Sequence, residues 1–463
     1  MSKALILSWN PVPTVAGKSS ISATGMRCYK LAAGLVGSGL TKVDIAVKNY
    51  ENGAGAAMGE EVNIISWEND KNIVKIAPKY DVIVLNPGYG ESAEYILENL
   101  PSDVVKVVDL FIPYYFEDAL IGQGGDDKHA SHLKSMQILS KSYINADYLL
   151  VANDEQKNMY LGAMGALDMI NYKNFQDYKD NLIVTPPGIL NEHITENNPY
   201  DQYLDVIAGR KIIVWYGSLY KWYDAKPILK AFSENNEITK DYVLFVLGAT
   251  NPEFESEENA YHDEKNSNNV VWIPWIKYSE RLNWLKHADA GATYNKITVE
   301  NRFSFRNRLL DYIEARLPFV TNGQDPLGEK AIDAGFAKKI ENPISLRDLN
   351  ETVSLKKNFT DSNLKPFNNT ECHKQFSELV FKKNKSKLNQ DYLDVPAGLY
   401  KSLTAELSDA QNKNSALEND NEVKQQTINE LKMNLKKAQE EYDKLPKTTR
   451  QFIKRSIKTR IKE

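Results

Sequence analysis

The sequence predicts an α/β protein made of two successive parallel sheets, each wrapped by helices, followed by a rod-like C-terminal appendage. Three observations carry this expectation. Short apolar runs of strand length alternate with amphipathic helical segments from Ala4 to about Thr321, the pattern of parallel strands joined by crossover helices. The 463 residues exceed what one hydrophobic core usually holds, so two domains are expected. From Tyr400 onward the periodicity changes to heptads.

Taken in order, Ala4–Ser8 reads as a buried strand, and a loop rich in Pro, Gly and Ser runs to about Thr24 before Gly25-Met26-Arg27 opens a helix through Leu35. Val43–Val47, Val82–Leu85, Val104–Val108 and Tyr148–Val151 are further strands. The connection 12–24 is long and follows a strand C-terminus, where open α/β sheets bind ligands; a mobile structural loop is the competing reading. P-P-G and N-N-P-Y mark a linker between Pro186 and Arg210. Ile212–Tyr216 starts the second sheet, and the turn Gly217–Tyr223 leads into a helix through Phe232. Val243–Gly248, Val270–Pro274, Ala288–Thr293 and Pro318–Thr321 continue the strands, with a helix at Arg281–His287. The expected division is 1–190, 205–358, a return helix and linker at 359–395, a coiled coil at 399–445 and a basic tail at 447–463; within the third segment Cys372–Phe381 is a helix expected to pack back on the first domain.

Composition narrows the function classes. The net charge of −5 gives no global basic footprint, so nucleic acid is not an expected partner. Cys28 and Cys372 form no ligand spacing, so neither a structural zinc site nor a disulfide scaffold is indicated, and a reduced, cytoplasmic setting fits. The opening M-S-K-A-L-I-L-S-W-N is too short for a signal peptide, and no apolar run approaches the roughly 20 residues that span a bilayer. Asp126-Asp127, in G-Q-G-G-D-D-K-H, reads as a solvated loop rather than a metal site, and His129 and His132 as surface histidines. No metal or other cofactor is expected.

The most informative stretch is Glu300–Pro318, E-N-R-F-S-F-R-N-R-L-L-D-Y-I-E-A-R-L-P. A helix beginning near Phe303 would place Ser304, Arg308 and Asp311 on one face and turn Leu309, Leu310 and Ile313 toward a core. Free N–H groups at a helix start beside the forks of Arg302, Arg306 and Arg308 suit phosphate, and Asp311 suits ribose hydroxyls. Together they suit a nucleoside diphosphate without a metal; an ordinary amphipathic helix with a solvated charged face is the alternative.

This segment resembles the donor-binding motif of a branch of glycosyltransferase family 4, the retaining GT-B enzymes, in which a Glu, an S-F-R-x-R run, an Asp-Tyr pair and a Leu-Pro step precede a buried strand. Three further segments resemble that family in the right order: G-M-R-C-Y-K-L-A from Gly25, V-V-D-L-F-I-P from Val107 and A-N-D-E-Q-K-N-M-Y-L-G from Ala152. The resemblance covers roughly residues 4 to 340 and implies two Rossmann-like domains facing a cleft, acceptor side first. It implies donor contacts from Gly217, Lys221, Lys226, Arg302, Ser304, Phe305, Arg306, Arg308 and Asp311, catalytic roles for Glu300 and Asp109, and a cleft-facing Gly25 and Arg27. There are departures. Most members carry two glutamates separated by seven residues; here the second is Asp311, the position eight before it is Phe303, and the nearest upstream carboxylate is Glu300. Ser218 stands where many members have an Arg, so Lys221 or Lys226 would supply one phosphate-binding charge and Arg306 or Arg308 the other.

Beyond the globular part, Tyr400, Leu407, Asn414, Asn421, Ile428, Leu435 and Tyr442 occupy a positions, and Leu403, Ala410, Leu417, Lys424, Leu431, Ala438 and Leu445 occupy d positions. Two asparagines at a favour an in-register parallel homodimer, the expected arrangement; a single helix lying on its own chain and pairing with another protein's helix are the alternatives. After Pro446 the segment K-T-T-R-Q-F-I-K-R-S-I-K-T-R-I-K-E spaces Ile453, Ile457 and Ile461 among cations, as in basic helices that rest on anionic lipid; a frayed solvated tail is the alternative. Resemblance and tail together imply a transferase of the hexosyl or a related class, working in polysaccharide biosynthesis. It would move a sugar from a nucleotide-sugar to a lipid-linked or cell-envelope glycan, with retention, at the inner face of the membrane. A degenerate GT-B scaffold recruiting a partner through its coil, or a soluble transferase acting on a protein or small molecule, are the competing readings.

Overall fold

The computed structural model describes residues 3–382 except 14–20, 41, 50–61, 122–125, 168, 173–180, 193, 195, 221, 249–266, 274–275 and 342, and beyond these residues 429 and 431–434. The first sheet contains β1 (Lys3–Ser8), β2 (Lys42–Lys48), β3 (Val62–Trp67), β4 (Val82–Leu85), β5 (Val105–Asp109), β6 (Tyr148–Val151) and β7 (Leu182–Val184), in spatial order β3-β2-β1-β4-β5-β6-β7. Its helices are α1 (Ala23–Gly37), α2 (Asp70–Ile76), α3 (Glu91–Asn99), α4 (Tyr114–Ile121), α5 (Asp126–Asn145) and α6 (Asp154–Ala166). The second sheet runs β10-β9-β8-β11-β12-β13, built from β8 (Lys211–Tyr216), β9 (Tyr242–Leu247), β10 (Val270–Ile273), β11 (Ala290–Ala292), β12 (Phe319–Thr321) and β13 (Ala337–Lys339). Between and after these lie α7 (Leu204–Ile207), α8 (Lys226–Glu234), α9 (Asn236–Asp241), α10 (Arg281–Lys286), α11 (Val299–Phe303), α12 (Asn307–Glu314), α13 (Pro326–Asp333), α14 (Leu346–Ser354), α15 (Asp361–Leu364) and α16 (Asn369–Lys382).

Every strand pair in both sheets is parallel. The central strands are apolar throughout because helices cover both faces: β4 (V-I-V-L) and β9 (Y-V-L-F-V-L) are buried at every position. The strands that the sequence pattern missed, β3, β7 and β13, are sheet edges. An edge needs less apolar surface, and V-N-I-I-S-W, the three-residue L-I-V and A-K-K carry correspondingly weak signals.

Both sheets belong to one compact unit, Met1–Met159 with Asp180–Ser386. The last helix, α16, packs against α1 and sends Phe376 and Val380 into the first sheet's core. Asn369 anchors its start by donating to the Lys30 carbonyl (2.8 Å) and accepting from Gly188 N (3.1 Å). Asp126-Asp127, expected in a loop, instead open α5.

The heptad segment and basic tail lie outside the described residues, save 429 and 431–434, which are helical. Among the described residues no helix is long and apolar enough to cross a membrane, and no cluster of His, Cys, Asp or Glu could hold a metal ion.

Candidate functional site

The strand ends of the second sheet assemble a buried cationic cluster. β8 ends at Tyr216, and Gly217, with φ +91°, turns the chain out of the sheet in a conformation that disfavours a side chain. A Cβ there would also meet the Arg308 guanidinium, at 3.2 Å from Nη2. Arg308 fills the space beneath this turn, where its Nη2 donates to the Ser218 carbonyl (2.6 Å) and its guanidinium lies 3.7 Å from the centre of the Tyr223 ring. The charge missing at Ser218 is thus supplied to the same turn from α12. An antiparallel bridge between Tyr223 and Asn295 ties the turn to the exit of β11.

The donor-motif segment is not one helix from Phe303. α11 is capped by Thr298 and ends at Phe303, Ser304 is extended, and α12 starts at Asn307 with no side-chain cap from Arg306. The face shared by Ser304, Arg308 and Asp311 therefore does not exist, and the Ser304 hydroxyl donates to the Asn301 carbonyl within its own turn (2.9 Å). The break folds Arg306 back to pair with Glu300 (2.5 Å) and Asn301, with its guanidinium 5.4 Å from the ring centres of both Trp222 and Tyr223. Leu309, Leu310 and Ile313 do face the core.

Arg306 and Arg308 are 6% and 7% exposed, yet Arg306 Nε and Arg308 Nη1 have no hydrogen-bond partner; neither do Thr293 Oγ1 and Asn295 Oδ1, on residues 1% exposed. Buried polar groups are almost always paired, so four unpaired atoms on the elements around Tyr223 make this cluster the candidate site for a polar ligand. Next to them Asp325 accepts from Asn295 (2.9 Å) and from Gly328 N (2.9 Å), and its burial pushes its carboxyl pKa up.

Other expected site residues lie elsewhere. Arg302 is exposed on α11 and pairs with the half-buried Glu155 (3.3 Å), away from Arg306. Phe305 faces the Phe111 ring, 6.0 Å between centres. Lys226 is exposed at the first position of α8, and Lys221 is outside the described residues. Asp311 accepts from Arg281 Nε (3.0 Å), and Arg281, fully buried, is held in turn by both oxygens of Glu192 (3.0 and 3.1 Å) under the Tyr278 ring. Asp109 has both carboxylate oxygens on Arg27 (2.9 and 3.0 Å), and Arg27 also donates to the Thr185 carbonyl (2.5 Å). With Arg27 1% exposed, this pair lies under the strand ends rather than on a cleft wall. Gly25 is dictated by packing, since a Cβ would come within 2.2 Å of the Pro11 carbonyl oxygen.

Sequence reasoning missed Tyr223, Asn295 and Asn301 as neighbours of the cationic cluster, and Glu192 and Arg281 as the partners that hold Asp311. The aromatic run Y-K-W-Y after Gly217 was the one local signal; the rest depends on which strand ends meet.

The two-sheet arrangement is the GT-B fold, in which two α/β units of parallel sheet and helices follow one another in the chain. Among solved structures similar to it, the complex of Anabaena Alr3699/HepE with UDP-glucose superposes with a TM-score of 0.58 at 12% identity, over 82% of this chain and 100% of that one. Sucrose-phosphate synthase from Thermosynechococcus elongatus gives 0.55 at 13%, over 82% and 99%. AviGT4, a glycosyltransferase involved in avilamycin A biosynthesis, gives 0.51 at 12%, over 82% and 98%. No protein-family model and no curated protein sequence matches the chain.

Proposed function

We propose that this protein is a retaining glycosyltransferase that takes a sugar from a nucleoside-diphosphate donor bound at the Arg306–Arg308 cluster. The observation that carries the reading is the pair of buried guanidiniums with unpaired N–H groups at the ends of β8 and β11. Transfer develops negative charge on the leaving diphosphate. Fixed cations in a low-dielectric site stabilise that charge with little reorganisation. Arg308 lies against the Gly217–Ser218 backbone and Arg306 is oriented by Glu300 and Asn301, so both are held before a donor arrives. In this reading Glu300 acts by orienting Arg306, Asp311 receives ribose hydroxyls from its place beside Arg281, and the guanidiniums serve where other enzymes use a metal. That HepE is solved with UDP and with UDP-glucose supports a donor of this class.

For the acceptor we propose a lipid-linked or envelope glycan, reached from the inner membrane face by the basic tail, with the heptad segment pairing two copies. Each cation near an anionic surface contributes about 1 kcal/mol. Two tails on one dimer would add their effects.

The test is a thermal-shift screen against UDP, GDP, dTDP and their common sugars, repeated on Arg308→Ala and Asp311→Ala. Stabilisation by one nucleotide, lost in both variants, is the expected result. No stabilisation by any of them would put a non-catalytic scaffold ahead of the enzyme.

A further inference from the structure

We propose that Gln156, at the start of α6, is a positioning residue through which the first sheet sets the turn carrying Arg306. The proposal rests on the donor reading of Arg306 and adds to it the device that holds that residue in place.

Gln156 is fully buried and its amide is fully used. Its Oε1 accepts from Ala152 N (2.7 Å), while its Nε2 donates to the Phe111 carbonyl (2.8 Å) and the Phe303 carbonyl (2.8 Å). One side chain thus joins the end of β6, the segment after β5 and the last residue of α11. The amide orientation is fixed, because the reverse would set its oxygen against two carbonyls. Asn153 acts beside it, capping α6 by accepting from Gln156 N (2.8 Å) and donating to the Ser304 carbonyl (3.1 Å). Rings reinforce the contact, since Phe303 stacks on Phe116 with 5.1 Å between centres and 15° between planes.

Within the turn at 304–306, Ser304 N and Oγ both donate to the Asn301 carbonyl, at 3.2 and 2.9 Å, and Arg306 pairs with Glu300 and Asn301. Carbonyls at a helix C-terminus lack intrahelical partners, and those of Phe303 and Ser304 find theirs on α6. α12 has no side-chain cap at Arg306, and on that side the chain is held by Leu309 N on the Arg306 carbonyl (3.0 Å) and by Arg308 on Ser218. The conformation that folds Arg306 onto Glu300 and toward Trp222 is therefore set from the first sheet as well as within the turn. Weakening that attachment lets the turn relax and moves Arg306 away from the leaving group, while Arg308, anchored to Ser218, keeps its place. Loss should appear in turnover more than in donor binding, since uniform binding and transition-state stabilisation are affected separately.

The experiment uses the full chain, with Gln156→Met, Gln156→Glu and Phe303→Leu beside wild type. Hydrogen–deuterium exchange over 300–308, UDP affinity by calorimetry, and kcat and KM for UDP-sugar turnover are measured on each. In Gln156→Met, exchange over 300–308 is expected to rise at least tenfold and kcat to fall at least tenfold, with KM and UDP affinity within threefold. Phe303→Leu, which keeps the site apolar, shows the same pattern more weakly and guards against misfolding of the first variant. Gln156→Glu can donate only when protonated, so its deficit relative to wild type shrinks as pH falls, whereas that of Gln156→Met does not. Wild-type exchange and kcat in Gln156→Met, with UDP bound and turned over by wild type, would overturn this inference and leave the donor reading standing. If wild type neither binds nor turns over any nucleotide, the donor reading fails; the exchange rates then decide the Gln156 attachment alone, raised rates supporting it and unchanged rates overturning it.

Discussion

Replacing Asp109 by Ala separates two roles for this residue, contact with a sugar and structural support. In the structure Asp109 and Arg27 form a two-pronged pair whose side chains are 4% and 1% exposed, with Arg27 also bonded to the Thr185 carbonyl and its guanidinium 5.4 Å from the Phe111 ring centre. Removing one partner of such a pair leaves an uncompensated buried charge, which costs about 3–5 kcal/mol. In a compact unit as large as Met1–Met159 with Asp180–Ser386, where the unfolding entropy is about 2.1 cal/mol/K per residue, each kcal/mol lowers Tm by roughly 1–1.5 °C, so Asp109→Ala should melt about 5 °C lower. The double variant Arg27→Met, Asp109→Leu removes both charges together and should recover most of that loss, because buried pairs replaced by apolar groups are often neutral. Differential scanning fluorimetry on wild type, the single variants Arg27→Met and Asp109→Leu, and the double variant closes a double-mutant cycle. Should Asp109→Ala keep its wild-type Tm within a degree or two and lose donor turnover, the reasoning is refuted and Asp109 acts on substrate.

Three further outcomes follow from the same physics. Arg308→Lys keeps the charge but loses the fork that reaches Ser218 O (2.6 Å); charged hydrogen bonds contribute about 1.5–3 kcal/mol, so calorimetry should record nucleotide affinity weakened by roughly one to two orders of magnitude. His373 is fully buried between α16 and α1, and burial holds its pKa down at about 3, against an ordinary 6.5. The unfolded chain therefore binds a proton that the folded chain refuses between these values; stability is full above about pH 6.5 and falls as pH drops toward 3. Relative to His373→Gln, wild type should lose about 2 kcal/mol between pH 7 and pH 5 in denaturant titrations, and a pH-independent difference would contradict this. Gly188→Ala sets a Cβ 2.4 Å from the Asn369 Cα, a backbone atom that cannot yield cheaply, and should cost about 1–3 kcal/mol in the same titrations.

Much of the fold was legible because it is written locally. Val82–Leu85 and Tyr148–Val151 match β4 and β6 residue for residue, since a strand covered on both faces must be apolar along its whole length. Three of the four edge strands, β3, β7 and β13, escaped the same reading, while β10 did not: A-K-K in β13 is held by its register with β12, not by its own propensity. The cationic site was half legible. Arginines clustered before a buried strand announced a polar site, but the helix break at Ser304 was invisible, because F-S-F-R carries neither Pro nor Gly.

By itself the sequence determined the alternation of strands and helices, the order of the two sheets and the concentration of arginines at 302–308, because periodicity and residue type are local properties. The tertiary structure alone decided the partners. Asp109 meets Arg27 across 82 residues, Arg308 reaches Ser218 across 90, and Gln156 holds the Phe303 carbonyl across 147. A buried charge or amide takes whichever complementary group the parallel topology brings to the same strand ends, and no spacing along the chain encodes that meeting.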